Sequence, residues 1–135
     1  GLDSIANATK PSNYEDGEVL ANDAIYSNSK IGYNFITVSG RAFDPNKPNE
    51  TSPSILFKWV VATNPLVSTK DIKRNFSIPT GKQVVIDAAL NVDALFDDLS
   101  PVDIPSIKSD PADADDIANA VTLRDNFNNK AYIFN

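Results

Sequence analysis

The chain contains no histidine, no cysteine and no methionine. Each absence removes a class of chemistry. Without histidine, the usual general base is missing, and Ser-His and Cys-His nucleophilic schemes are excluded. Without cysteine there are no disulfides and no thiolate metal sites, which leaves the redox compartment open. The three absences together leave no imidazole or sulfur ligand for copper, zinc or haem. Only hard cations held by oxygen remain as candidates. The five glycines are scattered, so there is no glycine-rich phosphate loop. No apolar run approaches the ~20 residues of a membrane-spanning helix. The opening "GLDSIANATK" has neither a basic start nor an apolar stretch, so no signal peptide is expected in it.

What is present describes a folded domain. A chain of 135 residues is long enough to bury an ordinary core as one domain. With 41% hydrophobic and 22% charged residues, it has the composition of a globular protein and not of a disordered tail. The net charge of −6 is uneven. Residues 1–80 hold eight basic and eight acidic side chains, whereas residues 81–135 hold four and ten. A general nucleic-acid binder would carry a basic excess. A local basic face remains open.

Residues 1–16, polar and containing Pro11, are expected to form an extended N-terminal arm. The remainder, 17–135, is expected to be a single β-rich domain with a helical C-terminal part at about 92–127. Strands are predicted at 18–26, 31–43, 54–63, 70–78 and 82–92 from β-branched and aromatic content and alternation. In "SILFKWVVAT" the alternation puts Ile55, Phe57, Trp59 and Val61 on one face. In 70–78, Ile72, Phe76 and Ile78 face inward; in 82–92, Val84, Ile86, Ala88, Leu90 and Val92 do. Loops at 44–53, 64–68 and 79–81 are marked by Pro, Asn and Gly. Val92, Leu95, Phe96 and Leu99 then form a helical stripe stopped by Pro101, and "PVDIPSIKSDP" reads as an extended linker. The clearest helix is 111–127, and "KAYIFN" is a closing edge strand or docking arm.

The segment "SDPADADDIAN" puts Asp110, Asp113, Asp115 and Asp116 within seven positions. An EF-hand calcium loop would also need a Gly for its turn and a distant bidentate Glu, and neither is present. With Pro111 as first helical residue and Asp110 as N-cap, the cluster reads instead as a helix start, favourable against the helix dipole. Its remaining interest is as an acidic docking surface. Asp97 and Asp98 point about 100° apart on a helix and do not converge on one substrate atom. Asp87 stands alone on the outward face of its strand, suited to an ion pair or a subunit contact.

Trp59 is read as core, with a carbohydrate-stacking platform as the alternative. Lys58 lies on the opposite face, and the outward sides of the predicted strands add Lys73, Asn75 and Lys82. Side by side these make a basic, amide-bearing surface facing nucleic acid or a subunit, similar in outline to small RNA phage coats, which lay a sheet over their genome. "NAT", "NET" and "NFS" match the glycosylation pattern at Asn7, Asn49 and Asn75, at a frequency chance explains.

"TVSGRAFDPN" followed by "LFKWVV" resembles the strand-loop-strand of Ig-like repeats of the PKD kind, in which a "DP" loop precedes a strand with a core Trp. The resemblance spans residues 37–61 and implies a β-sandwich; the helical C-terminal part departs from it. The expected fold is mainly β, an antiparallel sheet or β-sandwich of five to six strands with one or two C-terminal helices. The expected function is that of a non-enzymatic, self-assembling structural protein such as a small virion or coat (capsid) subunit. It would have no cofactor or metal and no membrane partner; copies of itself are the partners, with RNA a candidate for the basic sheet face. The alternative is a secreted or cell-surface β-sandwich module that binds a glycan or a calcium-dependent ligand through loops 44–53 and 64–69 or an exposed Trp59.

Overall fold

The computed structural model describes residues 4–68, 73, 77–81 and 88–134. Its centre is a three-stranded sheet in the order β3-β4-β6. β3 (Ile36–Ala42) and β4 (Ile55–Val61) pair antiparallel from Ile36 opposite Val61 to Ala42 opposite Ile55. This is the strand-loop-strand expected from 37–61. β6 (Ser106–Ile107) then runs parallel to β4, with Lys58 opposite Ser106 and Trp59 opposite Ile107. Two small antiparallel ribbons complete the strands. One joins β1 (Tyr26–Asn28) to β2 (Gly32–Tyr33), and the other joins β5 (Ala88–Leu90) to β7 (Tyr132–Phe134).

Alternation decides which face of β4 is buried. Phe57, Trp59 and Val61 point inward and are enclosed, while Leu56 and Lys58 are exposed. The layer over that inner face is helical among the described residues. It is supplied by α2 (Ala114–Asn126) through Ala120 and Leu123, and by the 3₁₀ turn Asp93–Phe96 through Leu95. Two antiparallel sheets, one mixed sheet and a C-terminal helix thus share the chain. Trp59 lies at the middle of the core, tilted against Phe57 and Phe96 at 5.1 and 5.3 Å between ring centroids. Its indole Nε1–H donates to the Ile104 carbonyl at 2.7 Å, so the one polar atom of a fully buried side chain is satisfied.

Several expectations need correction. Residues 4–8 do not extend: Ser4–Ala8 forms a short helix, α1, and Pro11–Asn13 a 3₁₀ turn. Asn7 ties this segment to the body. It is buried, its Nδ2 donates to Asn64 Oδ1 at 2.8 Å, and its Oδ1 accepts the Tyr33 amide at 2.7 Å. Gly32, at φ +85, makes room for it, since a Cβ there would lie 2.4 Å from Asn7 Oδ1. The Asn7 amide is therefore committed to internal bonds and closed to glycosylation in this fold. The strand expected at 18–26 is a pair of 3₁₀ turns, Val19–Ala21 and Asp23–Ile25, the second initiated by the Asn22 side chain accepting from Ala24 N. Local Asn side chains outcompeted a strand ladder there.

Further along, the helix expected at 92–100 shortens to the turn Asp93–Phe96, because Asp98 takes φ +59 and Pro101 follows. Leu95 and Leu99 are buried as expected, but Val92 is exposed. Ala88 and Leu90, expected to face inward, are exposed too, as is Ile78, which sits on irregular backbone. The rest of the expected strands at 70–78 and 82–92, including Ile72, Phe76, Val84, Ile86 and Asp87, lies outside the described residues. The linker 101–111 contains β6, and Pro105 just before it contributes only a carbonyl, accepting from Lys58 N at 3.0 Å. The closing strand at the C-terminus is β7.

The 44–53 loop is organised by its own carboxylates. Asp44 Oδ1 accepts from Asn46 N, and Glu50 Oε2 accepts from Asp44 N, both at 2.9 Å. The Asn46 amide, helped by Lys47, holds the Asp44 carboxyl below its ordinary 3.8. The Ser54 hydroxyl and the Asp44 amide hold Glu50 below 4.5. Because both folded values are depressed, their contribution is complete above the ordinary values and is lost as pH falls through the lower, folded ones. Amide-exchange protection at Asp44 and Asn46 should therefore fall below pH about 4 while that of β4 is retained.

Candidate functional site

The outward face of the central sheet carries the candidate site. Thr37, Ser39 and Arg41 of β3 stand opposite Val60, Lys58 and Leu56 of β4, so these six side chains share that face. On the other side of β4, Ser106 adjoins Lys58 and Lys108 follows two residues on, one strand period later. A groove of about 340 Å³ opens here. Lys58, Val60, Ser106, Ile107 and Lys108 line it from the sheet and its β6 edge, and Ser27, Asn28 and Ile31 line it from the first ribbon and its turn. Lys30 sits on the turn between Asn28 and Ile31, fixed by Asn28 Oδ1 accepting from the Lys30 and Ile31 amides.

Electrostatically the site is one-sided. The cations that form ion pairs among the described residues are Lys47, Arg124 and Lys130, all elsewhere. Arg41, Lys58 and Lys108 are exposed and have no carboxylate partner among the described residues. Such a surface can hold a carboxylate or phosphate by charge-assisted hydrogen bonds from lysine, guanidinium and hydroxyl groups.

Of the residues expected to form the basic face, the structure describes Lys58, which is placed in it, and Lys73. Lys73 is exposed on irregular backbone outside the three strands, and Asn75 and Lys82 lie outside the described residues. Among the described residues, Arg41 and Lys108 join Lys58 at the sheet. The signal for Arg41 was present, since it alternates in phase with Thr37 and Ser39. Lys108 was hidden because its strand lies between prolines. The glycan-platform reading of Trp59 is overturned by burial: the indole is enclosed between the sheet and its helical cover and offers no face to a sugar.

The acidic cluster adjoins this groove. Asp113, not Asp110, is the N-cap of α2: its Oδ1 accepts from Asp115 N at 3.0 Å and Asp116 N at 3.1 Å. Asp110 caps the preceding turn through Ala112 N, which leaves Pro111 before the helix and not in its first turn. Asp116 reaches back to accept from Lys108 N and Asp110 N, at 2.9 and 2.7 Å. Three carboxylates thus bond to backbone N–H groups. Among the described residues no three acidic side chains are placed to share a cation. Asp113→Ala should lower stability by about 1 kcal/mol, measurable by urea denaturation, with fraying confined to the first turn of α2.

A smaller hollow of about 120 Å³, lined by Phe35, Leu66 and Phe127 among others, is apolar apart from Ser68, Asn128 and Arg124, and Arg124 is paired with Asp125. No described helix is long and apolar enough to cross a membrane. No family model, curated protein or solved structure matches the chain.

Proposed function

We propose that this chain is a non-enzymatic structural subunit that assembles with copies of itself, as a small virion or coat protein does. The observation that carries the reading is the outward apolar pair on the β5–β7 ribbon. Leu90 and Tyr132 stand opposite each other and are 47% and 40% exposed, with Val92 beside them at 52%. A two-stranded ribbon is marginal alone and gains from a partner that covers it. Leu56 and Phe43 add exposed apolar area at the β3–β4 end. Grouped apolar side chains on ordered strands fit a surface covered in an assembly.

The finer architecture belongs to the same proposal. The β-sandwich of five to six strands would be completed by a second β layer, which on this reading comes from a neighbouring copy pairing at the ribbon. Location in a virion follows from the same reading. The test is sedimentation velocity on the wild type and on Leu90→Asp. The wild type should sediment as an assembly, and the variant should move towards the 14.6 kDa monomer with an unchanged circular dichroism spectrum. Identical sedimentation of the two would show that the ribbon is not the contact between copies.

A further inference from the structure

We propose that the Lys58–Lys108 groove receives the acidic shoulder of a second copy, centred on Asp110, Asp113 and Asp115, in a reciprocal two-fold contact. The inference rests on the assembly reading and names the surface and the partner chemistry. Three observations lead to it.

First, the groove is cationic and has no internal counter-charge among the described residues, as set out above. Asn28, whose Oδ1 is engaged by two backbone amides, lines the groove together with Lys58 and Lys108. Second, Asp110, Asp113 and Asp115 are exposed and have no cation partner among the described residues. Asp113 and Asp110 each spend one oxygen on a backbone N–H. The other oxygen is available to a lysine. Third, the two patches adjoin. Asp116 is bonded to the backbone of Lys108 and Asp110, so the acidic shoulder starts two residues from the groove wall.

A basic and an acidic patch side by side on one surface are self-complementary under a two-fold rotation: each groove meets the other copy's shoulder. Charge matching of this kind fixes orientation and rejects other registers. A polyanion is the weaker occupant. The chain carries −6 overall, and a nucleic acid lying in the groove would pass along the same acidic shoulder.

The test uses the full chain in sedimentation velocity at about 50 mM and about 0.5 M salt. The wild type should associate about tenfold or more weakly at high salt. Lys58→Glu/Lys108→Glu and Asp115→Lys should each weaken self-association about tenfold at low salt. Neither set touches the core, and Asp115 makes no side-chain bond among the described residues, so each variant serves as a folding control for the other. An equimolar mixture of the two variants should recover affinity beyond that of either variant alone, because in the mixed dimer one contact keeps its wild-type charges and in the other the introduced lysine faces the introduced glutamates. Two results would overturn the inference while leaving assembly intact: wild-type association unaffected by salt and by both variants, or no recovery on mixing. A wild type that stays monomeric would overturn the assembly reading itself, and this inference with it. Binding of a fluorescent single-stranded oligonucleotide that depends on Lys58 and Lys108, with association unchanged in the variants, would assign the groove to nucleic acid instead.

Discussion

Replacing Trp59 by alanine should lower the unfolding free energy by about 3–5 kcal/mol. That is a large share of the roughly 5–15 kcal/mol typical of a folded domain. Two effects add. The indole packs against Phe57 of the sheet and Phe96 of the Asp93–Phe96 turn, so its removal leaves a cavity between them. Its loss also leaves the Ile104 carbonyl without the Nε1–H donor that holds the approach to β6. Trp59→Phe keeps most of the packing and loses that bond, so it should cost less than the alanine. Urea denaturation followed by circular dichroism measures both. A Trp59→Ala variant as stable as the wild type would mean that the core does not close on this residue.

Ser109→Ala should produce the second large loss, about 1–3 kcal/mol for the amide it strands. Ser109 is buried and holds φ +58, an unusual conformation for a residue with a side chain. Its hydroxyl accepts from Ala62 N at 3.0 Å and donates to Val60 O at 2.7 Å. One side chain therefore continues the β4–β6 pairing past the end of the short strand β6. Alanine keeps the backbone strain and removes both bonds, which leaves the Ala62 N–H buried with no acceptor. Hydrogen exchange should speed up at Ala62, just past the end of β4, well before it does within β4. An unchanged rate at Ala62 would show that the hydroxyl bridge does not form.

The contrast between these two residues also explains how far the sequence could be read. Trp59 sits in a strict alternation with Phe57 and Val61, and a period of two is set by the chain itself. Strand, face and burial were therefore legible, and so was the hairpin around the "DP" loop. Ser109 depends on a contact 47 residues away, and no local pattern encodes it. β6 was missed for the same reason. A two-residue parallel strand between prolines has no periodicity of its own and exists because β4 offers an edge.

The acidic cluster shows an intermediate case. Its role as a helix mouth could be read from residue types, but the identity of the cap could not. Asp110-Pro111 fits the rule for a helix start; the helix begins three residues later because Asp116 folds back onto the Lys108 and Asp110 amides and occupies that turn. In the basic face, Lys58 followed from alternation along one strand. Arg41 alternates in the same way along β3, but that β3 and the Lys108 segment flank Lys58 is set by which strands pair, and pairing is a property of the whole fold. Leu90 and Val92 were expected inside because they alternate. Alternation marks an apolar face but does not say whether the protein or a neighbour covers it.

The mass of the wild-type protein in solution tests the central claim most directly. Size-exclusion chromatography with light scattering at high protein concentration and low salt should give a mass several times 14.6 kDa, falling as salt is raised. A single species of 14.6 kDa at every concentration would contradict self-assembly.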